Sequence, residues 1–275
     1  MGEDMRMGQR RFRTNRVKSL LRQGKPAFGT FVYLQDPAVS DLLGHAGLDF
    51  VVIDLEHTSL SLEAVENHVR AANSSGTTPF VRVPENDPKL INRVLETGAA
   101  GIMIPQLRDR ADAERAVAAV KYPPQGGRGM CRVTRATSYR EESFWDYAAE
   151  ANEETMVIAL VETKEAVDVI DEITQVVGID VILPGRGDLS SSYGMSGHLE
   201  HPIVNAAADR VIKAAFQTTG MSAGMVVFKA DEARSWIDKG ALFMMFSQDS
   251  RMLMNSYRTA IQVMRAALSE PSGAR

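Results

Sequence analysis

Short apolar segments alternate along the chain with stretches of helical periodicity. Most of these segments lack a regular alternation of apolar and polar residues, which is typical of strands covered on both faces. Eight strands are therefore predicted, over residues 28–33, 50–54, 79–83, 101–104, 156–161, 180–183, 222–227 and 242–246.

Helical signals fill the gaps between these segments. Asp36-Pro37 and Asp87-Pro88 each combine an N-cap residue with a proline suited to the first helical turn. Apolar residues recur at helical spacing from Leu253 to Leu268, which predicts an amphipathic final helix. Further helices are predicted over 62–74, 109–120 and 141–151.

Eight strand–helix units in about 250 residues predict an α/β fold, a single (β/α)8 TIM barrel. A doubly wound open sheet is the alternative, but the first βα turn has no G-x-G-x-x-G motif. We expect the barrel to span residues 25–268. A basic N-terminal segment with a helix precedes it over 1–24, and a disordered tail follows over 269–275.

Composition and charge narrow the possible partners. The chain has 275 residues and a net charge of −4, which does not indicate nucleic-acid binding. Its apolar runs are shorter than the ~18 residues of a membrane helix, so no membrane partner is expected. A single cysteine, Cys131, excludes an internal disulfide. This composition and the lack of an apolar segment behind the basic N-terminus favour a cytoplasmic protein.

Charged side chains stand where several predicted strands end. Asp54 and His57 follow the second strand, Arg82 the third, Glu162 the fifth and Asp188 the sixth. In a barrel these strand ends meet at one face, where catalytic groups lie. Charges there are costly unless they are paired or bound to a metal, so this face is the predicted site.

Glu162 and Asp188 on neighbouring strands are suitable oxygen ligands for Mg²⁺, Mn²⁺ or Co²⁺. The alternative is a solvated carboxylate pair, or an ion pair with Arg82. His57 beside two acids is a candidate general base, although a lone histidine is often structural. The other histidines are expected at the surface or as helix caps: His45, His68, His198 and His201.

Arg82 and the Gly185–Asp188 turn are candidate anion-binding groups. The arginine at a strand end suits a carboxylate or a developing oxyanion, or else an ion pair between loops. The glycine-rich turn offers backbone N–H groups. A covalent lysine mechanism is disfavoured because no lysine lies near the end of the sixth strand.

Several of these segments together resemble the HpcH/HpaI aldolase family over residues 25–268. The matching segments are Asp-Phe-Val-Val-Ile-Asp-Leu-Glu-His (49–57), Val-Arg (81–82), Lys-Tyr-Pro-Pro-Gln-Gly-Gly-Arg-Gly (121–129), Val-Glu-Thr (161–163) and Gly-Arg-Gly-Asp-Leu-Ser (185–190). The family comprises class II aldolases, related to 4-hydroxy-2-oxoheptanedioate and 2-dehydro-3-deoxyglucarate aldolases. The resemblance implies a divalent-metal-dependent lyase that cleaves or forms 4-hydroxy-2-oxo acids through a pyruvate enolate.

The resemblance also implies roles for individual residues and for the partners. Glu162 and Asp188 match the metal ligands, His57 the base and Asp54 its supporting carboxylate. Arg82 matches the arginine that stabilises the enolate, and the backbone of Gly187 and Asp188 the donors to the pyruvate carboxylate. The substrates would be a 2-oxo acid and an aldehyde. The assembly would be a hexamer whose C-terminal helices pack on neighbouring subunits.

Three positions depart from the usual family pattern. Leu160 replaces a frequent glutamine, Arg186 a frequent proline, and the eighth strand ends before Asp249 without the usual glycine. Arg186 adds a cation that is a candidate for binding a second substrate carboxylate. These departures leave two alternatives open. One is a relative that decarboxylates or condenses oxaloacetate, including citrate-forming enzymes, and the other is a silent 2-oxo-acid binder.

Overall fold

Eight parallel strands close into a barrel in sequence order in the computed structural model, which describes residues 13–139 and 144–269. The first strand pairs with the eighth, so the open-sheet alternative is wrong and the predicted barrel is confirmed. Every predicted strand lies within two residues of the observed bounds at each end. The strands are β1 Ala27–Val32, β2 Phe50–Asp54, β3 Thr78–Arg82, β4 Gly101–Ile104, β5 Met156–Val161, β6 Val181–Pro184, β7 Ser222–Val227 and β8 Ala241–Gln248.

Helices lie between the strands along the chain. Asp87 caps α4 as predicted, since its carboxylate accepts from the Lys89 N–H at 2.9 Å. The helix predicted over 141–151 is α6, and residues 141–143 lie outside the described part. The helices are α1 Arg16–Arg22, α2 Ala38–His45, α3 Leu62–Ser74, α4 Pro88–Glu96, α5 Arg110–Val120, α6 Phe144–Glu154, α7 Lys164–Asp168, α8 Ile170–Thr174, α9 Arg186–Ser192, α10 Pro202–Gln217, α11 Glu232–Asp238 and α12 Asp249–Ser269.

An aromatic layer fills the barrel interior. The rings of Phe50 and Phe243 stack with centroids 4.1 Å apart, and Phe80 packs against both. Gly29 makes room for this layer, because a Cβ there would lie 2.3 Å from the Phe50 ring. The barrel is therefore packed at its centre, and a substrate has to bind at one end.

Helix α1 covers the end of the barrel where the strands begin. Val17 and Leu21 pack into the interior apolar cluster. Lys18 forms an ion pair of 2.7 Å with Asp180, the residue before β6. Asn15 caps the helix and donates to the Ala100 carbonyl just ahead of β4. This end is thereby closed, while the end where the strands finish carries the predicted site. Residues 1–12 and 270–275 lie outside the described part, so the expectations for the basic segment and the tail are untested there.

Side-chain alternation places a polar layer above the apolar interior. Because successive residues of a strand point to opposite faces, a residue two positions after an interior one also faces inward. Val52, Phe80 and Leu160 are interior apolar residues on β2, β3 and β5. The next inward positions on these strands are Asp54, Arg82 and Glu162.

Helix α12 differs from the other helices in its surroundings. Residues 251–268 are exposed throughout, including Leu253, Tyr257 and Ile261. An apolar face of this length without cover is typical of an interaction surface. In the described part of the chain, no helix is long and apolar enough to cross a membrane.

A surface or helix-capping role was predicted for the remaining histidines, and His201 and His68 differ in this respect. His201 caps α10 as expected, with its Nδ1 accepting from the Ile203 N–H. The surface or capping role expected for His68 is wrong, because its side chain is fully buried and its Nδ1 lies 2.9 Å from the Ser40 hydroxyl. Burial lowers the pKa of His68, so it is a neutral core residue.

Candidate active site

A buried ion pair between Asp54 and Arg82 occupies the inward layer on β2 and β3. Nε of Arg82 donates to one Asp54 oxygen at 2.9 Å, and Nη2 donates to the other at 2.7 Å. The register brings the two residues side by side, since Asp54 pairs directly with Arg82. Phe31 lies 4.4 Å below the guanidinium. Two parallel charge-assisted bonds and a ring face fix the orientation of this cation.

Glu56 and Tyr33 complete the surroundings of Arg82. Glu56 Oε2 lies 3.1 Å from Nη1 of Arg82, and the Tyr33 hydroxyl accepts from Nη2 at 3.3 Å. Burial raises the pKa of Glu56, against the lowering effect of Arg82 and His57, and Asp54 and Asp188 add to the rise. The sequence placed Glu56 beside His57 as one of two neighbouring acids, but it indicated no role for Tyr33. The signal for Tyr33 was its place two residues after the interior Phe31.

Glu162 is a buried carboxylate, with 3% of its surface exposed. Its Oε2 accepts from the Gln106 N–H at 2.8 Å. Its pKa is raised to about 7, mainly by burial and also by the nearby Glu56 and Asp188 carboxylates, against the lowering effects of Gln106 and Arg82. Gly185 is required beside it, because a Cβ there would lie 2.5 Å from Glu162 Oε1. A nearby cation would therefore favour the ionised form of this carboxyl.

Asp188 lies on the first turn of α9 and is exposed. Its charge acts on both Glu162 and Glu56, so the acids that follow β2, β5 and β6 converge at one side of the mouth. The described residues contain no group of three or more His, Cys, Asp or Glu side chains that would enclose a metal ion. Two carboxylates with open positions nevertheless fit a hard divalent cation, which keeps water or substrate oxygens as further ligands.

His57 stands at the rim of this cluster with 51% of its side chain exposed. Its Nε2 lies 3.8 Å from Glu56 Oε2. The expected support by Asp54 needs correction, because both Asp54 oxygens are bonded to Arg82. The register of β2 and β3 places the Asp54 carboxylate against the neighbouring strand, and Glu56 is the acid that reaches the imidazole.

Arg186 does not take the position expected for a group that binds substrate. Its side chain is 6% exposed, and Nη2 donates to the Val226 carbonyl at 3.1 Å. Glu232 lies 3.5 Å away, and the guanidinium packs over the Trp236 ring. These partners belong to β7 and α11. Contact with a substrate carboxylate would break them, so we leave Arg186 out of the substrate site.

The first turn of α9 also presents Gly187 and Asp188, both exposed, at the mouth. The N–H groups of a first helical turn have no partner within their helix. A Cβ at Gly187 would meet no heavy atom within 4 Å, so the space in front of it is open. These two N–H groups are accessible to an anion that sits beside Asp188.

Comparison with known proteins assigns the family. Residues 27–256 match the family model described as HpcH/HpaI aldolase/citrate lyase. The chain belongs to this family. It is 33% identical over 237 residues to the 2-dehydro-3,6-dideoxy-6-sulfogluconate aldolase of Pseudomonas putida, covering 86% of the chain and 91% of the relative. It is also 33% identical to the 4-hydroxy-2-oxo-heptane-1,7-dioate aldolase of Salmonella dublin, over 87% of the chain and 90% of that protein. Like these relatives, the chain is a lyase.

Solved structures of the family share the fold. An HpcH/HpaI aldolase/citrate lyase family protein from Burkholderia cenocepacia has a TM-score of 0.86 at 32% identity, with 92% of this chain and 100% of that chain covered. The citrate synthase SbnG has a TM-score of 0.84 at 28% identity, with 92% and 99% covered. This chain therefore shares its barrel with a protein of the family and with a citrate synthase.

Proposed function

We propose that this family member is a divalent-metal-dependent aldolase that cleaves and forms 4-hydroxy-2-oxo acids through a pyruvate enolate. One observation carries the proposal. The acid Glu162 lies near both Asp188 and the fixed guanidinium of Arg82 at the open end of the barrel. A cation at the acids and the arginine beside it would together stabilise negative charge on a substrate oxygen.

Glu162 and Asp188 are the residues that would hold the metal. A citrate lyase beta subunit with the same fold, 18% identical to this chain, is known in complex with oxaloacetate and magnesium. The raised pKa of Glu162 fits this role, because a bound cation would restore the charged form. When bound, a divalent cation acts as a Lewis acid that stabilises the enolate. Mg²⁺, Mn²⁺ and Co²⁺ are all candidates, since all three accept carboxylate oxygens.

Arg82 retains hydrogen-bonding capacity toward the substrate. A guanidinium has five N–H groups. In the described part of the chain, Asp54 accepts two of them, Tyr33 accepts one, and Glu56 lies beside Nη1. No hydrogen bond of the Nη1 group is formed within the described residues, although Glu56 Oε2 lies 3.1 Å away, so its two hydrogens are available to an oxygen of the substrate. The buried Asp54 carboxylate keeps these hydrogens aimed in one direction.

His57 is the proposed base for the C4 hydroxyl in the cleavage direction. Its half-exposed imidazole reaches the mouth and is free to take a proton directly or through water. Removal of that proton allows the C3–C4 bond to break, which releases an aldehyde and leaves the enolate. The N–H groups of Gly187 and Asp188 are the proposed donors to the carboxylate of the 2-oxo acid. The substrates are thus a small 2-oxo acid and an aldehyde.

Exchange of the pyruvate methyl protons in D₂O, followed by NMR, tests enolate formation without any aldehyde. We expect exchange with Mg²⁺ or Mn²⁺ that stops in EDTA and falls at least a hundredfold in Glu162→Gln. The matched control is Glu165→Gln, an exposed acid on α7, which should exchange like the wild type. Metal-independent exchange, or equal loss in both variants, would contradict the assigned ligand.

A second candidate is an enzyme that uses oxaloacetate. The structural similarity to the citrate synthase SbnG favours it, as does the apolar Leu160 in the layer below Glu162. Comparing pyruvate release from oxaloacetate with release from 4-hydroxy-2-oxo acids separates the two candidates. Faster release from oxaloacetate would favour the second. Binding of 2-oxo acids without any metal-dependent turnover would indicate a silent binder instead.

We further propose that α12 packs on a second copy of this chain in a homo-oligomer, a hexamer by family analogy. The exposed apolar residues of this helix support the proposal. A cytoplasmic location remains a prediction that rests on the sequence.

A further inference from the structure

Tyr33 stands in the inward layer at the mouth of the barrel. It follows β1 directly, and the register that pairs Val32 with Ile53 brings it opposite Asp54. Its ring packs edge-on against Phe31, with centroids 6.1 Å apart. The side chain is half-buried, so part of it remains exposed.

The hydroxyl group of Tyr33 remains a neutral donor. Burial and the Asp54 carboxylate raise its pKa to about 12, against the lowering effect of Arg82. Its oxygen accepts from Nη2 of Arg82 at 3.3 Å, and it therefore still has its own hydrogen to donate. That hydrogen can point to Asp54 or to a polar group of a bound substrate.

Tyr33 lies on the side of Arg82 away from the metal ligands. Glu162 and Asp188 come from β5 and β6, whereas Tyr33 comes from β1. Asp54 and Arg82 are the charges that act on the pKa of Tyr33, whereas Glu56, Asp188 and Arg82 act on the pKa of Glu162. If the 2-oxo acid occupies the β5 and β6 side, the part of the substrate beyond Arg82 is the aldehyde.

The backbone around Tyr33 is fixed independently of its side chain. The N–H groups of Tyr33 and Leu34 donate to the buried carboxylate of Asp249 at 3.0–3.1 Å. Asp249 is the first residue of α12 and also accepts from the Ser250 N–H. This anchor holds the loop after β1 against the end of β8, so the ring has a defined place above Phe31.

We propose that Tyr33 determines which aldehyde the site accepts. Its ring limits the space beside Arg82, and its hydroxyl donates to a hydroxyl or carbonyl oxygen of the aldehyde, with Asp249 as the positioning residue. The inference rests on the proposed aldolase function. In the synthetic direction, C3 of the enolate attacks the aldehyde carbon, a C–C bond forms, and the carbonyl electron pair moves to the oxygen, which takes up a proton.

The test compares Tyr33→Phe with the wild type for two aldehydes, glycolaldehyde and propionaldehyde. The variant keeps the ring and the Asp249 anchor and removes only the hydroxyl. We expect kcat/KM for glycolaldehyde to fall at least tenfold and that for propionaldehyde to change less than twofold. Pyruvate methyl exchange, which needs no aldehyde, should fall by a smaller factor than kcat/KM for glycolaldehyde. Tyr139→Phe, an exposed tyrosine in the segment between α5 and α6, is the matched control.

Variants of Tyr33 and Asp249 separate the space that the Tyr33 ring fills from the positioning of that ring by Asp249. Tyr33→Ala should shift the preference toward longer aldehydes, because it opens the space that the ring fills. Asp249→Ala should raise the KM for glycolaldehyde and leave pyruvate methyl exchange unchanged. Asp249→Asn keeps one acceptor oxygen, so its KM for glycolaldehyde should lie close to that of the wild type. Thermal melts confirm that each variant is folded before its kinetics are compared.

The outcomes distinguish this inference from the proposed function. Equal losses for both aldehydes together with lost exchange would overturn it, since Tyr33 would then only support Arg82. Unchanged kinetics for both aldehydes would also overturn it. A wild type that shows no exchange with any metal would refute the proposed function itself, and the inference with it.

Discussion

Replacing Glu162 by Gln should stabilise the metal-free protein at alkaline pH, although it removes a proposed metal ligand. Burial raises the pKa of this carboxyl from 4.5 to about 7. At about 1.4 kcal/mol per pH unit, the ionised form costs the folded state about 3 kcal/mol. Gln has nearly the same shape, and its amide oxygen can still accept from the Gln106 N–H.

The direction of the effect follows from proton binding to the two states. Below pH 4.5 the carboxyl is protonated in the folded and unfolded chain alike, so it does not affect their balance. Between pH 4.5 and about 7 the unfolded chain releases its proton first, and the wild type loses stability as pH rises. Above pH 7 that loss is complete. The advantage of Glu162→Gln should therefore be small at pH 5 and full at pH 8.

Urea unfolding in EDTA at pH 5 and pH 8 measures this difference, provided that the slopes with denaturant agree. The exposed Glu165→Gln should match the wild type at both values. Adding Mg²⁺ at pH 8 should then stabilise the wild type and leave Glu162→Gln unchanged, because ligand binding to the folded state adds to its stability. A gain of equal size at pH 5 and pH 8, or none at all, would refute the reasoning.

Three further predictions follow from the packing and the ion pairs. Asp54→Asn should lower the free energy of unfolding by about 3–5 kcal/mol, because it breaks the buried ion pair with Arg82 and leaves only Glu56 beside that cation. Urea titration measures this loss. Gly29→Ala should lower the free energy of unfolding by about 1–3 kcal/mol, because the new Cβ would overlap the Phe50 ring. At Gly187 a Cβ meets open space, so Gly187→Ala should not lower the melting temperature as Gly29→Ala does. Deleting α12 beyond its first turn should reduce the oligomer to smaller species, which light scattering after size exclusion detects, whereas an unchanged mass would contradict the proposed contact.

Much of the architecture followed from the sequence alone. Strands buried on both faces need unbroken apolar runs, and the helices that cover them need an apolar stripe. Both patterns can therefore be recognised in the sequence. The same reasoning placed Arg82 and Glu162 at strand ends. In a closed parallel barrel those ends meet at one rim, and their assembly into one cluster was therefore predictable.

The partners of the charged groups were decided by the tertiary structure. Asp54 was expected to support His57 but bonds to Arg82, because the register of β2 and β3 places them side by side. Arg186 turns toward Val226 and α11 instead of the mouth. The sequence predicts which side chains stand at the strand ends and so reach the rim of the barrel. Which neighbour each group meets depends on strand register and side-chain direction, and those are set only when the barrel closes.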